Sequence, residues 1–400
     1  MISQIEAKQI VLQQLKSFGT EIVSVQDSLG RVLAEDILAD RPFPPFDRVS
    51  MDGIAIRFDD FNQGNLIFKI EGIAAAGKPQ MRLQSKNSCM EVMTGAVLPE
   101  DTDTVIRYED LNIENGYASI VSETVNEAQN VHPKAFDAQK ADRLIAAGKL
   151  ISSSEIGILA TVGKSQVSVK KNPKCAILSS GDELVDVDQS PADHQIRKSN
   201  VHQLKALLQS KKIEATAFHL QDDSDEIERK LGAILSEYEL IILSGGVSKG
   251  KYDYIPEALE KLGVKQLFHR VKQSPGKPFW FGTHPNGQLV FAFPGNPVSS
   301  FVCSLNYLFP FLNKCMGIEE RQVSAMLTEE FNFKPSLSFF KEVQLSMNES
   351  GELLASPVVG HGSGDLAKLV KTDAFLLLPE EQSNFKAGEV FPVLLSRDFF

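Results

Sequence analysis

A glycine-rich loop at residues 243–253 is the stretch of this sequence best suited to bind an anion. Gly245, Gly246 and Gly250 would let backbone N–H groups approach a phosphate closely, and Ser248 could donate its hydroxyl. The helix predicted to follow would add the positive end of its dipole. The pattern therefore favours an oxyanion site, although a purely structural glycine turn would also explain it.

Asp253 ends this loop and is a candidate metal ligand. A carboxylate beside a phosphate loop is a common way for a protein to hold hydrated Mg²⁺. The alternative is an ordinary carboxylate in the first turn of a helix, where the dipole stabilises negative charge.

A second polar loop, residues 179–183, follows another apolar run and contains two adjacent carboxylates. Asp182 and Glu183 could accept hydrogen bonds from the hydroxyls of a ribose or a pterin, or complete a metal shell. A solvated turn is the alternative for this loop.

Two proline-containing turns add further polar groups. Residues 274–278 place Lys277 between two prolines, and residues 294–299 place Ser299 at the start of a predicted helix. Proline restricts the backbone, so these side chains could meet an oxyanion at little ordering cost. The alternative for each is a structural turn that only connects two elements. Four such loops at one sheet edge together favour a shared binding crevice.

A separate polar cluster lies nearer the amino terminus. Asp52 and Thr94 each precede a glycine, which indicates tight turns that present a carboxylate and a hydroxyl, and Asp137 follows in residues 134–137. Ordinary turn residues are the alternative for each of the three.

The hydrophobic patterns predict the elements that position these loops. An amphipathic helix is expected at 2–17, a short helix-like unit at 29–37 and a proline-rich linker at 41–47. Period-two patterning from about 54 to 130 predicts a small antiparallel β domain. From 174 to about 315, strands alternate with helices, which predicts a doubly wound α/β sheet with parallel strands. Short alternating runs after 321 predict a closing all-β domain.

The composition bounds the class of protein. The chain has 400 residues, enough for two to four domains, and a net charge of −11, which disfavours nucleic-acid and anionic-membrane binding. No apolar run is long enough to span a bilayer, and the amino terminus lacks the uninterrupted apolar segment of a signal peptide. The four cysteines form no CxxC pair, which fits buried thiols. We therefore expect a cytoplasmic protein.

The order and spacing of six motifs resemble the MoeA family, to which the carboxy-terminal domain of gephyrin also belongs. The resemblance spans essentially the whole chain. Its motifs are Ser50-Met51-Asp52-Gly53, Thr94-Gly95-Ala96, Ser180-Gly181-Asp182-Glu183-Leu184, Gly245-Gly246-Val247-Ser248, Pro275-Gly276-Lys277-Pro278 and Pro294-Gly295-Asn296-Pro297-Val298-Ser299.

The resemblance implies a molybdopterin molybdenumtransferase of molybdenum cofactor biosynthesis. Such an enzyme inserts molybdate into adenylylated molybdopterin and releases AMP with Mg²⁺ present. It also implies a homodimer in which the β domain of one chain covers the α/β crevice of the other, and contact with the upstream molybdopterin adenylyltransferase. The implied parts are an α/β domain (1–22 plus 171–320), a linking domain (23–42 plus 140–170), a β domain (43–139) and a carboxy-terminal β domain (321–400).

The resemblance also assigns roles to individual residues. The implied metal ligand is Asp253. The implied catalytic residues are Asp52, Thr94, Asp137, Glu183, Asp253 and Lys277. The implied residues that bind the pterin nucleotide are Ser180, Gly181, Asp182, Gly245, Gly246, Ser248, Gly250, Pro275, Gly276, Pro294, Gly295, Asn296, Pro297 and Ser299.

The sequence departs from the family pattern at several positions that are usually charged. Ser274 stands where many members have lysine, Lys198 where the family often has aspartate, and Leu337 and Glu342 where arginines are usual. Residues 132–136 replace an Arg/Gly/Glu-rich run. Two other functions therefore stay open: a degenerate paralogue that binds molybdopterin or a partner protein without turnover, and a pterin adenylyltransferase or nucleotide pyrophosphatase. The second of these leaves the β domain without a purpose.

Overall fold

The central element of the structure is a six-stranded α/β sheet. The computed structural model describes residues 1–246, 254–360, 362 and 364–397. The strands of this sheet lie in the order Ala215–Leu220, Cys175–Ser180, Leu240–Ser244, Leu289–Phe293, Trp280–Thr283 and Lys265–His269. The first four are parallel to one another, as predicted. Trp280–Thr283 instead pairs antiparallel with both of its neighbours, Leu289–Phe293 and Lys265–His269. The turn between Trp280–Thr283 and Leu289–Phe293 is too short for the crossover that a parallel strand requires.

Helices cover both faces of this sheet. Leu240–Ser244 and Leu289–Phe293 are buried along their whole length, as expected for strands packed on two sides. The helices on one side are Ser199–Ser210 and a continuous helical run of Pro297–Cys303, Ser304–Leu308 and Phe309–Met316. Those on the other side are Ser224–Glu237 and Ile255–Lys261.

The amino-terminal segment joins this unit. The helix predicted at 2–17 is shorter, Gln4–Leu12, and packs against Phe309–Met316. Ser3 caps it by accepting a hydrogen bond from the Glu6 amide. Ile2–Ser3 instead forms a parallel strand beside Val271–Ser274.

The prediction of a helix-like unit at 29–37 is wrong. Val32 and Leu33 are extended and form β-bridges to Leu150 and Val169. Both side chains are buried, so tertiary packing overrides the local pattern.

Short antiparallel pairs build the region between the large sheets. Thr20–Ser24 pairs with Gln166–Lys170, and Ile37–Leu38 pairs with Arg143–Ile145. The helix Ser153–Thr161 begins with a capping box formed by Ser152 and Glu155. Thr20–Ser24 crosses the expected domain boundary at residue 22, and the four-part division stays a prediction.

The β domain contains a second six-stranded sheet. Its order is Thr104–Arg107, Gly53–Ile56, Ser88–Val92, Ile67–Ala74, Tyr117–Ile120 and Leu111–Glu114. The pairs are antiparallel as predicted, except that Ile67–Ala74 runs parallel to Ser88–Val92. The long connection at 75–87 allows that crossover. A short helix, Phe58–Asn62, and the pair Arg48–Val49 with Val131–His132 complete the domain.

The carboxy-terminal part is all-β, as predicted. Five strands close into a ring, because Ser338–Met347 pairs with both Leu353–Pro357 and Ala374–Leu378, while Val323–Leu327 and Val390–Leu395 complete the circle. Val271–Ser274 extends this sheet and so connects it to the α/β unit.

The remaining elements of the chain are short. Two further strand pairs are Leu184–Val185 with Ile196–Arg197 and Phe331–Asn332 with Asn384–Phe385. Turns of 3₁₀ helix lie at Gln26–Ser28, Tyr108–Asp110 and Leu366–Lys371. None of the helices in the described part of the chain is long and apolar enough to cross a membrane.

Candidate functional site

Three of the predicted loops meet at the carboxyl edge of the α/β sheet. The parallel strands that end at Ser180, Ser244 and Phe293 are neighbours in the sheet. A Cβ added to Gly245 would lie 3.6 Å from Ser180 Oγ, and one added to Gly295 would lie 3.7 Å from Gly245 Cα. The loops therefore lie so close together that a single added methyl group would reach from one to the next.

Gly246 occupies a place that a larger residue would not fit. Its φ is +70°, and a Cβ there would overlap Ile255 Cδ1 and lie 2.7 Å from Ser180 Oγ. Both features require glycine. The predicted site residues Ser248, Gly250 and Asp253 lie outside the described residues.

The two proline turns form an open cavity of about 410 Å³ at this edge. The predicted residues that line it are Pro275, Gly276, Lys277, Pro294, Gly295, Asn296 and Ser299. Pro297 begins the helix that follows. Ser274 and Leu337 also line the cavity, so Lys277 is the one cation among its lining residues in the described part of the chain.

Buried Gln273 holds the 275–278 turn in place. The Tyr307 hydroxyl donates to Gln273 Oε1, and Gln273 Nε2 donates to the Pro275 carbonyl at 3.1 Å. Gly276 has φ +94°, and a Cβ there would lie 2.5 Å from Gln273 Nε2 and 2.8 Å from Cys303 Sγ. Sequence reasoning missed Gln273, because its partner Tyr307 is distant in the chain.

Asn200, which sequence reasoning did not single out, connects two of the loops. Its Nδ2 donates to Ser244 Oγ at 2.8 Å and to the Gly295 carbonyl at 2.6 Å. Its Oδ1 is buried with no hydrogen-bond partner in the described part of the chain. The only sequence signal was an amide residue at the start of the helix Ser199–Ser210.

The acidic loop lies beside this edge. Asp182 Oδ1 accepts a hydrogen bond from the Asp222 amide at 3.2 Å. The Glu183 carboxylate folds back over Gly181, whose φ is +123° and whose Cβ would overlap Glu183 Oε2. Within the described ranges, no group of three or more His, Cys, Asp or Glu side chains is arranged to hold a metal ion.

Lys198, which stands where the family often has aspartate, forms an ion pair with Asp186 at 2.9 Å. The hydrogen bond from Lys198 lowers the pKa of Asp186. Burial, together with the charges of Lys198 and Lys230, lowers the pKa of His219. His219 Nδ1 lies 3.0 Å from Ser179 Oγ, at the end of the strand that leads into the acidic loop.

The other two departures lie in the carboxy-terminal β part. Leu337 gives the cavity an apolar contact where the family pattern suggests a cation. Glu342 forms an ion pair with Lys368 at 2.7 Å, and both side chains are almost completely buried. Lys368 thus neutralises Glu342, a pairing that the sequence did not reveal.

In the β domain, Asp52 and Thr94 form one polar pair. Asp52 Oδ1 accepts hydrogen bonds from the Thr94 hydroxyl at 2.7 Å and from the Thr94 amide at 2.6 Å. The Thr94 hydroxyl, followed by its amide, lowers the pKa of Asp52. Asp52 is thereby held as an exposed carboxylate.

Asp137 belongs to a second polar group in the same domain. Asp137 Oδ1 lies 3.1 Å from His132 Nε2, and His132 Nδ1 lies 3.1 Å from Arg48 Nη2. Both groups border the strand Arg48–Val49, since Gly95 donates its amide to the Val49 carbonyl. In the described part of the chain, the side-chain hydrogen bonds of Asp52, Thr94 and Asp137 all stay within the β domain.

Three family models match successive parts of the chain. "MoeA N-terminal region (domain I and II)" matches residues 2–163, "Probable molybdopterin binding domain" matches 176–314, and "MoeA C-terminal region (domain IV)" matches 324–396.

Individual relatives are similar over nearly their full length. A molybdopterin molybdenumtransferase from Synechocystis is 40% identical over 98% of this chain and 99% of its own length. One from Haemophilus influenzae is 31% identical over 98% of each chain. The crystal structure of a molybdopterin biosynthesis MoeA protein from Pyrococcus horikoshii superposes with a TM-score of 0.83 and 27% identity, covering 100% of both chains.

Proposed function

The chain belongs to the MoeA family of molybdopterin molybdenumtransferases, and we propose that it inserts molybdate into adenylylated molybdopterin with release of AMP. The observation that carries this proposal is the cavity between the two proline turns. Lys277, Ser274 and Ser299 are among the residues that line this space of about 410 Å³. Molybdate is a tetrahedral oxyanion and, like phosphate, is bound by positioned donors and positive charge.

The chain's residues act by binding and orienting rather than by forming a covalent bond. Lys277 neutralises oxyanion charge, and the Gln273 hydrogen bond to Pro275 keeps its turn in one conformation before substrate arrives. Asn200 holds the loops after Ser244 and Phe293 at a constant separation. Cleavage of a phosphoanhydride depends mainly on such positioning and charge neutralisation.

We also propose that Mg²⁺ takes part. Asp182 and Glu183 follow the strand that ends at Ser180, at the same edge of the α/β sheet where the glycine loop begins. Their carboxylates are the hard oxygen donors that Mg²⁺ prefers. Mg²⁺ sites on phosphates use one or two carboxylates with substrate oxygens and water, so the lack of a three-residue cluster among the described residues is compatible with one. When bound, the ion would offset phosphate charge. Asp253 is the remaining proposed ligand.

Asp52, Thr94 and Asp137 are proposed to act on the crevice of a second copy of the chain. Their hydrogen bonds stay within the β domain, and the core clusters of that domain contain only residues from 49 to 131. A homodimer in which each β domain covers the other chain's crevice would place these groups near the substrate. The carboxylate of Asp52, with its lowered pKa, would then be charged at neutral pH.

We place this reaction in the cytoplasm, with the adenylylated pterin passed on by the adenylyltransferase that makes it. The four cysteines are free, and burial raises the pKa of each thiol. Unpaired, unreactive thiols suit a reducing compartment.

The direct test is to incubate the purified protein with adenylylated molybdopterin, Mg²⁺ and molybdate and to follow AMP by chromatography. We expect molybdate-dependent AMP release that Lys277→Ala strongly reduces. Lys371→Ala, which removes an exposed lysine outside the cavity, is the matched control. Tight pterin binding without AMP release would instead identify a non-catalytic binding paralogue.

Subunit complementation tests the shared site. Asp52→Ala and Lys277→Ala chains are inactive alone under the proposal, but a mixed dimer contains one crevice with both residues intact. Mixing should therefore restore part of the activity. Absence of restoration after demonstrated subunit exchange would place Asp52 and Lys277 in one chain's site or remove one of them from it.

A further inference from the structure

A second open cavity, of about 640 Å³, lies on a different part of the molecule. It forms where the segment after the first helix meets the end of the helix Phe309–Met316 and the strand Gln166–Lys170. It shares no lining residue with the cavity between the proline turns. Its lining residues are Leu15, Lys16, Ser17, Gly19, Thr20, Leu33, Ala34, Ala147, Gly148, Lys170, Lys314 and Cys315.

Among the described residues, Lys16, Lys170 and Lys314 line this cavity, which we call the three-lysine cavity, and no aspartate or glutamate lines it. That is unusual in a chain whose net charge is −11. In the described part of the chain, Lys16, Lys170 and Lys314 form no salt bridge with a carboxylate, although many other lysines do. The cavity therefore has uncompensated positive charge.

Two of the ammonium groups are held in position by neutral acceptors. Lys16 Nζ donates to the Gly287 carbonyl at 2.8 Å, and Lys170 Nζ donates to the Met316 carbonyl at 2.7 Å. Carbonyl oxygens orient an ammonium without cancelling its charge, and each ammonium has further protons to donate. This preorganisation lowers the cost of binding an anion.

Helix capping explains only part of the arrangement. The Met316 carbonyl ends a helix, and a lysine there interacts favourably with the helix dipole. The Gly287 carbonyl belongs to a turn between two strands, and Lys314 is exposed. Lys16 also has a structural contact, since its Nζ lies 5.2 Å from the centroid of the Phe18 ring. Neither a carbonyl nor an aromatic ring cancels the ammonium charge. Structural roles therefore account for the positions of Lys170 and Lys16 but not for the charge that the three lysines bring to one cavity.

The remaining lining indicates the size and character of the ligand. Ser17 and Thr20 add hydroxyls, while Leu15, Leu33 and two alanines form an apolar wall. The volume lies in the range of small-molecule sites and exceeds what a single phosphate needs. A ligand with a clustered anionic end and a less polar body would fit both parts.

We propose that the three-lysine cavity binds an organic diphosphate, with its phosphates at Lys16, Lys170 and Lys314. This site is separate from the proposed catalytic crevice. Its occupancy would connect three segments that are distant in sequence, around residues 16, 170 and 314.

Titration calorimetry with ADP and with pyrophosphate at constant ionic strength tests the proposal. We expect saturable binding of both to the wild-type protein, weakened by about tenfold or more in Lys314→Gln, since a hydrogen bond to a charged group is lost. Lys86→Gln, which removes an equal charge from the exposed surface of the β domain, should leave the affinity unchanged. ADP should bind more tightly than pyrophosphate, because only ADP has an organic part to contact the apolar wall. Pyrophosphate binding as tightly as ADP would overturn the assignment of an organic ligand.

The same titration in Lys277→Ala separates this site from the catalytic one. Binding that Lys277→Ala abolishes and Lys314→Gln leaves intact would overturn the proposal, as would the absence of saturable binding to the wild type. Amine-reactive labelling read by mass spectrometry gives a second measurement. ADP should protect Lys16, Lys170 and Lys314 from labelling but leave Lys86 reactive.

Discussion

Removing Lys368 should destabilise the carboxy-terminal ring of strands far more than removing an ordinary lysine. The ion pair between Lys368 and Glu342 has side chains only 8% and 6% exposed, with 2.7 Å between nitrogen and oxygen. Lys368→Met leaves the Glu342 carboxylate buried without its counter-ion. Breaking a buried pair in this way costs about 3–5 kcal/mol.

Hydrogen exchange measures this cost where it arises. Glu342 lies in the strand Ser338–Met347, which pairs with Ala374–Leu378. A loss of about 3–5 kcal/mol from the opening free energy of these strands corresponds to exchange accelerated by a hundredfold to a few thousandfold. Peptides covering the two strands should show this in Lys368→Met.

Two further variants distinguish the buried charge from a general effect. Lys164→Met breaks a pair of the same residue types at the same 2.7 Å, with Glu35, but with side chains 38% and 31% exposed. It should cost about 1 kcal/mol or less. Glu342→Leu combined with Lys368→Met removes both charges and should return exchange close to the wild-type rate. A Lys368→Met effect below tenfold, or a double variant as unstable as the single one, would refute the reasoning.

Three other results are expected. Ser274→Lys adds a second cation to a cavity lined by Lys277 and should lower the molybdate concentration for half-maximal AMP release by about ten- to a hundredfold; an unchanged requirement would mean that residue 274 does not face the oxyanion. Gly276→Ala should lose activity, because the added Cβ would lie 2.5 Å from the buried amide nitrogen of Gln273. Gly388→Ala is the control, since Gly388 has φ +90° and nothing within 4 Å, so this variant has only the cost of the backbone conformation. Equal activity in both variants would contradict this prediction. Hydrogen bonds from Ser85 and neighbouring groups lower the pKa of Glu71 to about 2, so its contribution to stability is present above its unfolded pKa and lost as pH falls toward 2. The difference in unfolding free energy between wild type and Glu71→Gln should therefore vanish on acidification, and a difference that persists near pH 2 would count against it.

Local pattern determined much of the architecture. Strands such as Leu240–Ser244 and Leu289–Phe293 are short apolar runs bounded by glycine and proline, so periodicity and turn chemistry located them within a residue or so. Their parallel order followed from alternation with helices, and it placed Ser180, Gly245 and Gly295 at one edge.

Local pattern failed where distant segments decide the conformation. Residues 29–37 have helix-like spacing, yet Val32 and Leu33 form bridges to Leu150 and Val169, because burial there outweighs propensity. The antiparallel edge of the α/β sheet and the parallel pair in the β domain depend on how connections cross, which side-chain periodicity does not encode.

The sequence by itself determined which residue types could bind an oxyanion and, through the order of its motifs, the family. Only the tertiary structure decided how those residues are held. Asn200 binds Gly295, Gln273 binds Tyr307, and Lys368 neutralises Glu342. Each of these contacts joins residues that are far apart in the chain, and their cost or benefit depends on burial, which exists only after the domains have packed.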